Sequence, residues 1–218
     1  MDAELLQIPL REVLHFLGWR GTPVDAPLLA QIRDLCDLAV REVRPRMAER
    51  RFPLAPDGSL AGTSMTPKGN DVRAMLAPCR EAVLLAATRG AESEQLLLRM
   101  QAKDAAQALL LDAVLSAAIE AVLDAREEAL RGELAVQGRY LTDRFSPGYG
   151  DMPLAQTREI CEVLGAQRAI GLTVSAGGVM IPRKSVTAIL GISDVPVARR
   201  PAGCEGCAAR ETCALRRR

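Results

Sequence analysis

The chain has 218 residues, of which 49% are hydrophobic and 25% are charged, and its formal net charge is +1. This is enough apolar material for a real core, in one domain or in one domain with small attachments. A duplex nucleic-acid binder needs a basic surface, so the near-neutral charge argues against that class. The N-terminus lacks the basic start and apolar middle of a signal peptide, and no apolar run predicts a membrane span. We therefore expect a cytoplasmic protein without nucleic-acid or membrane partners.

The N-terminal region, residues 1–51, is predicted to be helical. Residues 8–18 and 26–43 each place their apolar side chains on one face, at the spacing of an α-helix. His15, the single histidine, lies off that face and is interpreted as a surface residue. Cys36 lies on the apolar face of the second helix and is interpreted as a core residue.

Residues 52–195 are predicted to form a mixed core. Phe52–Asn70 is rich in Pro, Gly and Ser and is expected to be a loop or hinge. Glu81–Thr88 reads as a buried strand. Glu92–Arg131 is predicted to be the longest helical region, with a bend near residues 102–104. A final helix is expected at Leu154–Leu164.

The remaining elements are predicted strands. Residues 169–175 and 179–181 are joined by Ala176-Gly177-Gly178, which is typical of a hairpin turn. Residues 184–190 favour either a strand or a short helix. We therefore predict the α+β class, with long helices packed on a curved antiparallel sheet that includes Val83, Leu172, Val179 and Val186.

A rigid turn is predicted between the helical and the strand-rich halves, in the run Arg144-Phe145-Ser146-Pro147-Gly148-Tyr149-Gly150. Pro147 fixes one φ angle, and the glycines allow positive φ angles and the close approach of a ligand. We expect backbone groups of this turn to be free for binding. Arg144 can offer a planar set of donors to a carboxylate or phosphate. The alternative is a common Pro-Gly turn in which Arg144 only caps a helix.

The motif Arg-x-x-x-Gly-Tyr, in the setting RFSPGYGDMPLAQ, resembles the S-adenosylmethionine-binding motif of the activation domain of cobalamin-dependent methionine synthase. Residues 172–175 and 180–188 are similar to the segment C-terminal to the motif in stand-alone activation-domain-like proteins. Ala86–Gly90 and the long helix after it also match. The resemblance extends over roughly residues 70 to 193 and is most specific at 144–154 and 181–192.

The resemblance implies a repair function, in which inactive cob(II)alamin receives an electron and the methyl group of S-adenosylmethionine. Arg144 would bind the carboxylate of that ligand, and backbone groups near Gly148 would contact its adenine and ribose. Tyr149 would lie where the corrin approaches and act in catalysis, either by helping to position it or by occupying the space above cobalt. The family also has a carboxylate on the long helix that holds the ligand. Glu120, which interrupts a mostly apolar stretch of that helix, is the candidate for that role, with Asp112 and Asp124 as substitutes. The alternative is that Glu120 points to solvent.

The last segment, residues 196–218, carries a cysteine pattern with the spacing of metal ligands. Cys204 and Cys207 can bind one metal ion from a tight turn, and Cys213 supplies a third ligand. A fourth ligand would come from His15, Cys79, Cys161 or a partner, or the position would remain open. Metal or cluster binding is favoured, and a redox thiol pair or no role are the alternatives. An iron–sulfur cluster is preferred over zinc because an electron carrier suits the implied repair reaction.

No Asp-x-His-x-x-Gly motif, which ligates cobalamin, is present in the sequence. We therefore expect the chain to act on a separate corrinoid protein, such as a cobalamin-binding methionine synthase, with a flavodoxin- or ferredoxin-type protein as a further source of electrons. Whether the chain is itself an enzyme stays open at this point. The alternatives are a non-catalytic docking or electron-transfer module with a cysteine-bound cluster, and a structural protein whose tail holds zinc.

Overall fold

The structure, a computed structural model, describes residues 8–19 and 23–198. The helices within these ranges are α1 Leu10–Phe16, α2 Ala26–Glu42, α3 Asn70–Leu76, α4 Gly90–Gln101, α5 Ala105–Ala135, α6 Gln156–Leu164 and α7 Ala166–Ile170. The strands are β1 Arg46–Pro53, β2 Cys79–Thr88, β3 Tyr140–Leu141, β4 Thr173–Val174, β5 Met180–Ile181 and β6 Ser185–Ser193. This mixture of helices with antiparallel strands confirms the predicted α+β class.

The main sheet has four strands in the order β1-β2-β6-β3, and each neighbouring pair is antiparallel. β2 lies inside the sheet, and its apolar run is continuous because both of its faces are covered. Ala82, Leu84 and Ala86 pack on one face, into the cluster that includes α3, α6 and α7. The residues between them pack on the other face, against α5.

A third apolar cluster joins the N-terminal helices to the rest of the molecule. Val13 of α1 and Ile32 of α2 pack there against residues of α4 and the first half of α5, among them Leu111. Arg89 adds a polar contact, because its fully buried guanidinium donates from Nη2 to the carbonyl oxygen of Ala39 at 2.7 Å. This hydrogen bond links the C-terminal part of α2 to Arg89, which lies between β2 and α4.

The long helix α5 is apolar enough to satisfy the length and composition of a membrane span, which the expectation from sequence missed. Its most apolar stretch of 18 residues has a mean hydropathy of 1.7, and 61% of that stretch is buried inside the protein. Asp104 begins this helix, because its side chain accepts hydrogen bonds from the backbone N–H groups of Ala106 and Gln107. A mostly buried helix of this kind fits the core of the fold.

Several predicted elements differ in the structure. β1 was missed, and it crosses the proposed boundary between residues 51 and 52. The segment predicted as a strand at 169–175 contributes only Thr173–Val174, because α7 extends into its first residues. The hairpin at 173–181 is present, but as a separate two-stranded sheet, so Leu172 and Val179 do not extend the main sheet. Of the two alternatives at 184–190, the structure has the strand β6.

Candidate functional site

A cleft lies where α5, the segment 144–154 and the start of β6 meet, and we call it the Arg144 cleft. Its volume is about 440 Å³, which is within the ordinary range for small-molecule sites, about 300–1,000 Å³. Its lining is partly charged and partly apolar, and includes Glu120, Arg144, Tyr149, Leu154, Met180 and Thr187. Clefts of about 440 and 490 Å³ also occur beside α6. The volumes of the three clefts are therefore too similar to identify the functional site, which must be identified from the residues that line it.

The residues that enter the cleft come from a turn with the backbone conformation that the sequence predicts. Gly148 and Gly150 have φ angles of +90° and +53°, in the region that favours glycine. The N–H of Gly148 donates to Met152 O at 2.9 Å, and the N–H of Met152 donates to Tyr149 O at 3.1 Å. The expectation of free N–H groups is therefore wrong at these positions, because the turn uses them to hold its own shape.

The turn is also joined closely to the N-terminal end of α3. The carboxylate of Asp151 accepts hydrogen bonds from the backbone N–H groups of Asn70 at 2.6 Å and Asp71 at 3.0 Å. A Cβ atom on Gly150 would lie 2.3 Å from the carboxylate of Asp71, and one on Gly69 would lie 2.6 Å from Asp151. Glycine at both positions is what allows the two segments to approach this closely.

Arg144 lies among three carboxylates of α5. Its Nη1 donates to Asp124 Oδ1 at 2.6 Å and to Glu127 Oε2 at 3.0 Å, and its Nη2 donates to Glu120 Oε2 at 2.9 Å. We call these four residues the Arg144 cluster. Burial by itself lowers the pKa of Arg144, but the nearby negative charges outweigh burial and raise the pKa above its ordinary value. Arg144 is therefore always charged.

The three carboxylates follow one another along a single face of α5. Glu120, Asp124 and Glu127 are spaced by four and three residues, which places them on successive turns of a helix. The structure brings together the candidate Glu120 and the named substitute Asp124. Asp112 lies elsewhere, paired with Lys184 Nζ at 2.8 Å. Glu127 was missed by the sequence reasoning, although its helical spacing from Glu120 was visible.

Two donors of Arg144 remain after these bonds. Its guanidinium has five N–H groups, and three of them are used in the cluster. The Nε–H and one Nη2–H form no hydrogen bond to any residue within the described parts of the chain. Because the side chain is still 24% exposed and lines the cleft, a carboxylate in the cleft can accept from these donors.

The outer rim of the cleft is apolar and open. Tyr149 is 71% exposed and Leu154 is 56% exposed, and both line the cleft. Val179 and Ile181, on either side of Met180 in the neighbouring hairpin, are 54% and 47% exposed but do not line the cleft. Tyr149 and Leu154 therefore offer exposed apolar surface at the cleft to a partner or a large ligand.

The predicted metal ligands Cys204, Cys207 and Cys213 lie outside the described residues. Within residues 8–19 and 23–198, no group of three metal-binding side chains is close enough to hold an ion. Cys36, Cys79 and Cys161 are free thiols, and burial raises the pKa of each to about 11. Cys161 is 7% exposed and packs in the core, which argues against it as a fourth ligand.

Comparisons with known proteins bear on the fold. No protein-family profile matches the sequence, and no curated protein is significantly similar to it in sequence. The structure is similar to the crystal structure of the MetH reactivation domain bound to AdoHcy, with a TM-score of 0.65 and 17% sequence identity. The matched region covers 91% of this chain and 78% of that one. At this identity the similarity shows the fold, which is that of a methionine synthase reactivation domain.

Proposed function

We propose that this chain is a reactivation protein for a cobalamin-dependent methionine synthase or another corrinoid protein, and that it binds S-adenosylmethionine in the Arg144 cleft. The observation that carries this proposal is the position of Arg144. It lines a cleft with two donors unpartnered among the described residues, on a fold shared with a domain that was solved with AdoHcy bound.

The charges of the cleft suit this ligand. S-adenosylmethionine has a carboxylate, which fits the remaining donors of Arg144, and two positive groups, its ammonium and its sulfonium. Glu120 and Asp124 are 33% and 57% exposed beside the arginine, so their carboxylates can be reached by the positive groups. Because Gly148 N–H already bonds to Met152 O, adenine and ribose would meet backbone carbonyls near Gly148 rather than that N–H.

The proposed reaction places few demands on the chain. Cob(II)alamin on the partner takes up one electron, and the resulting cob(I)alamin displaces the sulfonium methyl group, so that a C–S bond breaks, a Co–C bond forms and S-adenosylhomocysteine leaves. No proton moves in this step, so no general acid or base is needed. The role of this chain is to hold the methyl donor in line with the partner, which is a contribution of orientation.

Tyr149 is the residue that would meet the corrin. It is the most exposed side chain of the apolar rim, and an aromatic ring offers a large, flat apolar surface. Leu154, which also lines the cleft, would add to the same contact. In this proposal Tyr149 acts in catalysis by positioning the macrocycle above the bound methyl donor.

The cysteine pattern is proposed to supply the electron. An iron–sulfur cluster would be held by Cys204, Cys207 and Cys213, with zinc as the alternative occupant. A flavodoxin- or ferredoxin-type protein would either reduce this cluster or donate the electron to cobalamin in its place. Iron and sulfide analysis of protein purified without oxygen tests this part separately. Cluster content should disappear when the three cysteines are changed to serine.

The test of the proposed function is a reactivation assay. The full chain is mixed with a corrinoid protein held as cob(II)alamin, with S-adenosylmethionine and a chemical reductant, and the spectrum of methylcobalamin is followed. The proposal predicts methylcobalamin only when all components are present. Binding to the corrinoid protein without methylation, and without binding of S-adenosylmethionine, would instead support a docking or electron-transfer module.

A further inference from the structure

A second arginine, Arg131 of α5, approaches the Arg144 cluster from its other side. Its Nη2 donates to Glu127 Oε1 at 2.5 Å and to Asp143 Oδ1 at 2.9 Å. The same side chain donates to the carbonyl oxygens of Leu141 and Thr142. Arg131 therefore fastens the segment that leads into the turn onto α5, directly before Arg144.

Glu127 is the residue that joins the two arginines. Its Oε1 accepts from Arg131 and its Oε2 accepts from Arg144, so one carboxylate is shared by both guanidinium groups. Its side chain is 12% exposed, against 33% for Glu120 and 57% for Asp124. Charge-assisted bonds are strongest where water is excluded, so Glu127 is the carboxylate best placed to fix the orientation of Arg144.

We propose that Glu127 is a positioning residue, which holds Arg144 through its Nη1 so that the Nε–H and one Nη2–H remain available to the carboxylate of a ligand. This inference rests on the proposed function, because it assigns Glu127 to the binding of the same ligand. Glu127 itself would not contact the ligand.

The three carboxylates of the cluster have different roles in this account. Asp124 and Glu120 are exposed and can turn toward positive groups of the ligand. Glu127 cannot turn toward the ligand without breaking a bond to an arginine, because one of its oxygens is bonded to Arg131 and the other to Arg144. Loss of the Glu127 charge would let the guanidinium rotate toward Glu120 and Asp124. The Nε–H and the second Nη2–H would then donate to these carboxylates and would no longer be available to the ligand.

The variant that tests this is Glu127→Gln, which keeps the shape of the side chain and removes its charge. Arg131 keeps its bonds to Asp143, Leu141 and Thr142, so we expect the variant to fold. The matched control is Glu128→Gln, the same change one residue later at an exposed position. Because a hydrogen bond to a charged group is at stake, the dissociation constant for S-adenosylmethionine should rise about tenfold or more in the first variant alone.

A second ligand separates positioning from a general structural role. S-adenosylmethionine without its α-carboxylate cannot use the donors of Arg144, so Glu127→Gln should weaken its binding much less than the binding of S-adenosylmethionine itself. Equal weakening for both ligands would mean that the variant damages the cleft as a whole, and would overturn the proposal. An unchanged or tighter dissociation constant for S-adenosylmethionine would overturn it as well.

A measurement without ligand keeps the two proposals apart. The Nη1–H signals of Arg144 in an NMR spectrum should exchange slowly in the wild type and in Glu128→Gln, because Asp124 and Glu127 accept hydrogen bonds from this nitrogen, and they should exchange faster in Glu127→Gln. If the wild type does not bind S-adenosylmethionine, the proposed function fails. The NMR comparison without ligand then still tests whether Glu127 holds Arg144 in place. Identical Arg144 signals in all three proteins would contradict the role of Glu127.

Discussion

Arg144 Nη2 donates a hydrogen bond of 2.9 Å to Glu120 Oε2, and so connects two residues that are 24 positions apart in the sequence. One of them belongs to the turn that enters the cleft, and the other belongs to the longest helix. This bond, with those to Asp124 and Glu127, makes the orientation of the turn depend on α5. Substitutions that disturb the turn should therefore change the stability of the protein as well as its binding.

Gly150→Ala should destabilise the protein strongly. A left-handed φ angle costs a non-glycine residue about 1–2 kcal/mol, and the new Cβ would lie 2.3 Å from Asp71 Oδ2 and 3.1 Å from Phe145 Cζ. Gly62→Ala is the matched control, because its φ angle is +77° but its Cβ would meet nothing within 4 Å. We expect Gly150→Ala to cost about 1 kcal/mol or more beyond the control. Equal losses in urea unfolding would show that the close contact with α3 is not required.

Asp151 should make the free energy of unfolding depend on pH in the acidic range. The N–H groups of Asn70 and Asp71 lower the pKa of its carboxyl group, so the folded pKa lies below the unfolded one. The resulting stabilisation is present above the unfolded pKa, about 4, and is lost as the pH falls through the folded pKa. Asp151→Asn should therefore reduce the slope of unfolding free energy against pH below about pH 4. Asp34→Asn, on an exposed part of α2, serves as the control, and equal slopes in both variants would refute the role of Asp151.

The thiols of Cys36, Cys79 and Cys161 should react slowly in the folded protein. Burial raises the pKa of each to about 11, so about one molecule in a thousand carries a given thiolate at pH 8. Alkylation with iodoacetamide, followed by mass spectrometry, should label these positions only after unfolding. Rapid labelling of any of them in the native protein would contradict the packing described for that residue.

Tyr149→Ala should impair the contact with the corrinoid protein and leave the affinity for S-adenosylmethionine nearly unchanged. Its ring is 71% exposed at the rim of the cleft, where a partner can cover it. The chain has one other tyrosine, Tyr140, which is 41% exposed in the edge strand β3. Tyr140→Ala is thus a matched control. With the corrinoid protein at a subsaturating concentration, the reactivation rate should fall in Tyr149→Ala and not in Tyr140→Ala. Equal rates in the two variants would show that Tyr149 does not contact the corrinoid protein.

The sequence predicted local structure best where a residue type allows few backbone conformations or stands out from its neighbours. Pro147, Gly148 and Gly150 indicated a fixed turn, because few conformations are open to Pro and glycine alone adopts positive φ angles easily. Glu120 was noticeable because a charge interrupts an apolar helix. The resemblance suggested that a carboxylate such as Glu120 holds the ligand. The hydrogen bond of Glu120 with Arg144 depends on how the chain folds back onto α5 and was not predicted.

Other features depend on long-range packing and were missed for that reason. β1 is an edge strand in which Phe52 is the one buried residue, so its sequence has no alternation of apolar residues to indicate a strand. The strand predicted from residue 169 begins later, because Gly165 and Gly171 on either side of residues 166–170 close that part into a short helix. Glu127 was overlooked because its importance comes from two arginines that meet only in the folded protein.

The central claim is that Arg144 binds the carboxylate of S-adenosylmethionine in this cleft. Calorimetric titration of the full chain with this compound tests it most directly, with Arg139→Ala as the control for Arg144→Ala. The two arginine side chains are 21% and 24% exposed and both pair with carboxylates, but Arg139 lies outside the Arg144 cleft. The account predicts binding by the wild type and by Arg139→Ala, and no detectable binding by Arg144→Ala. Equal affinities in all three proteins, or no binding by the wild type, would contradict it.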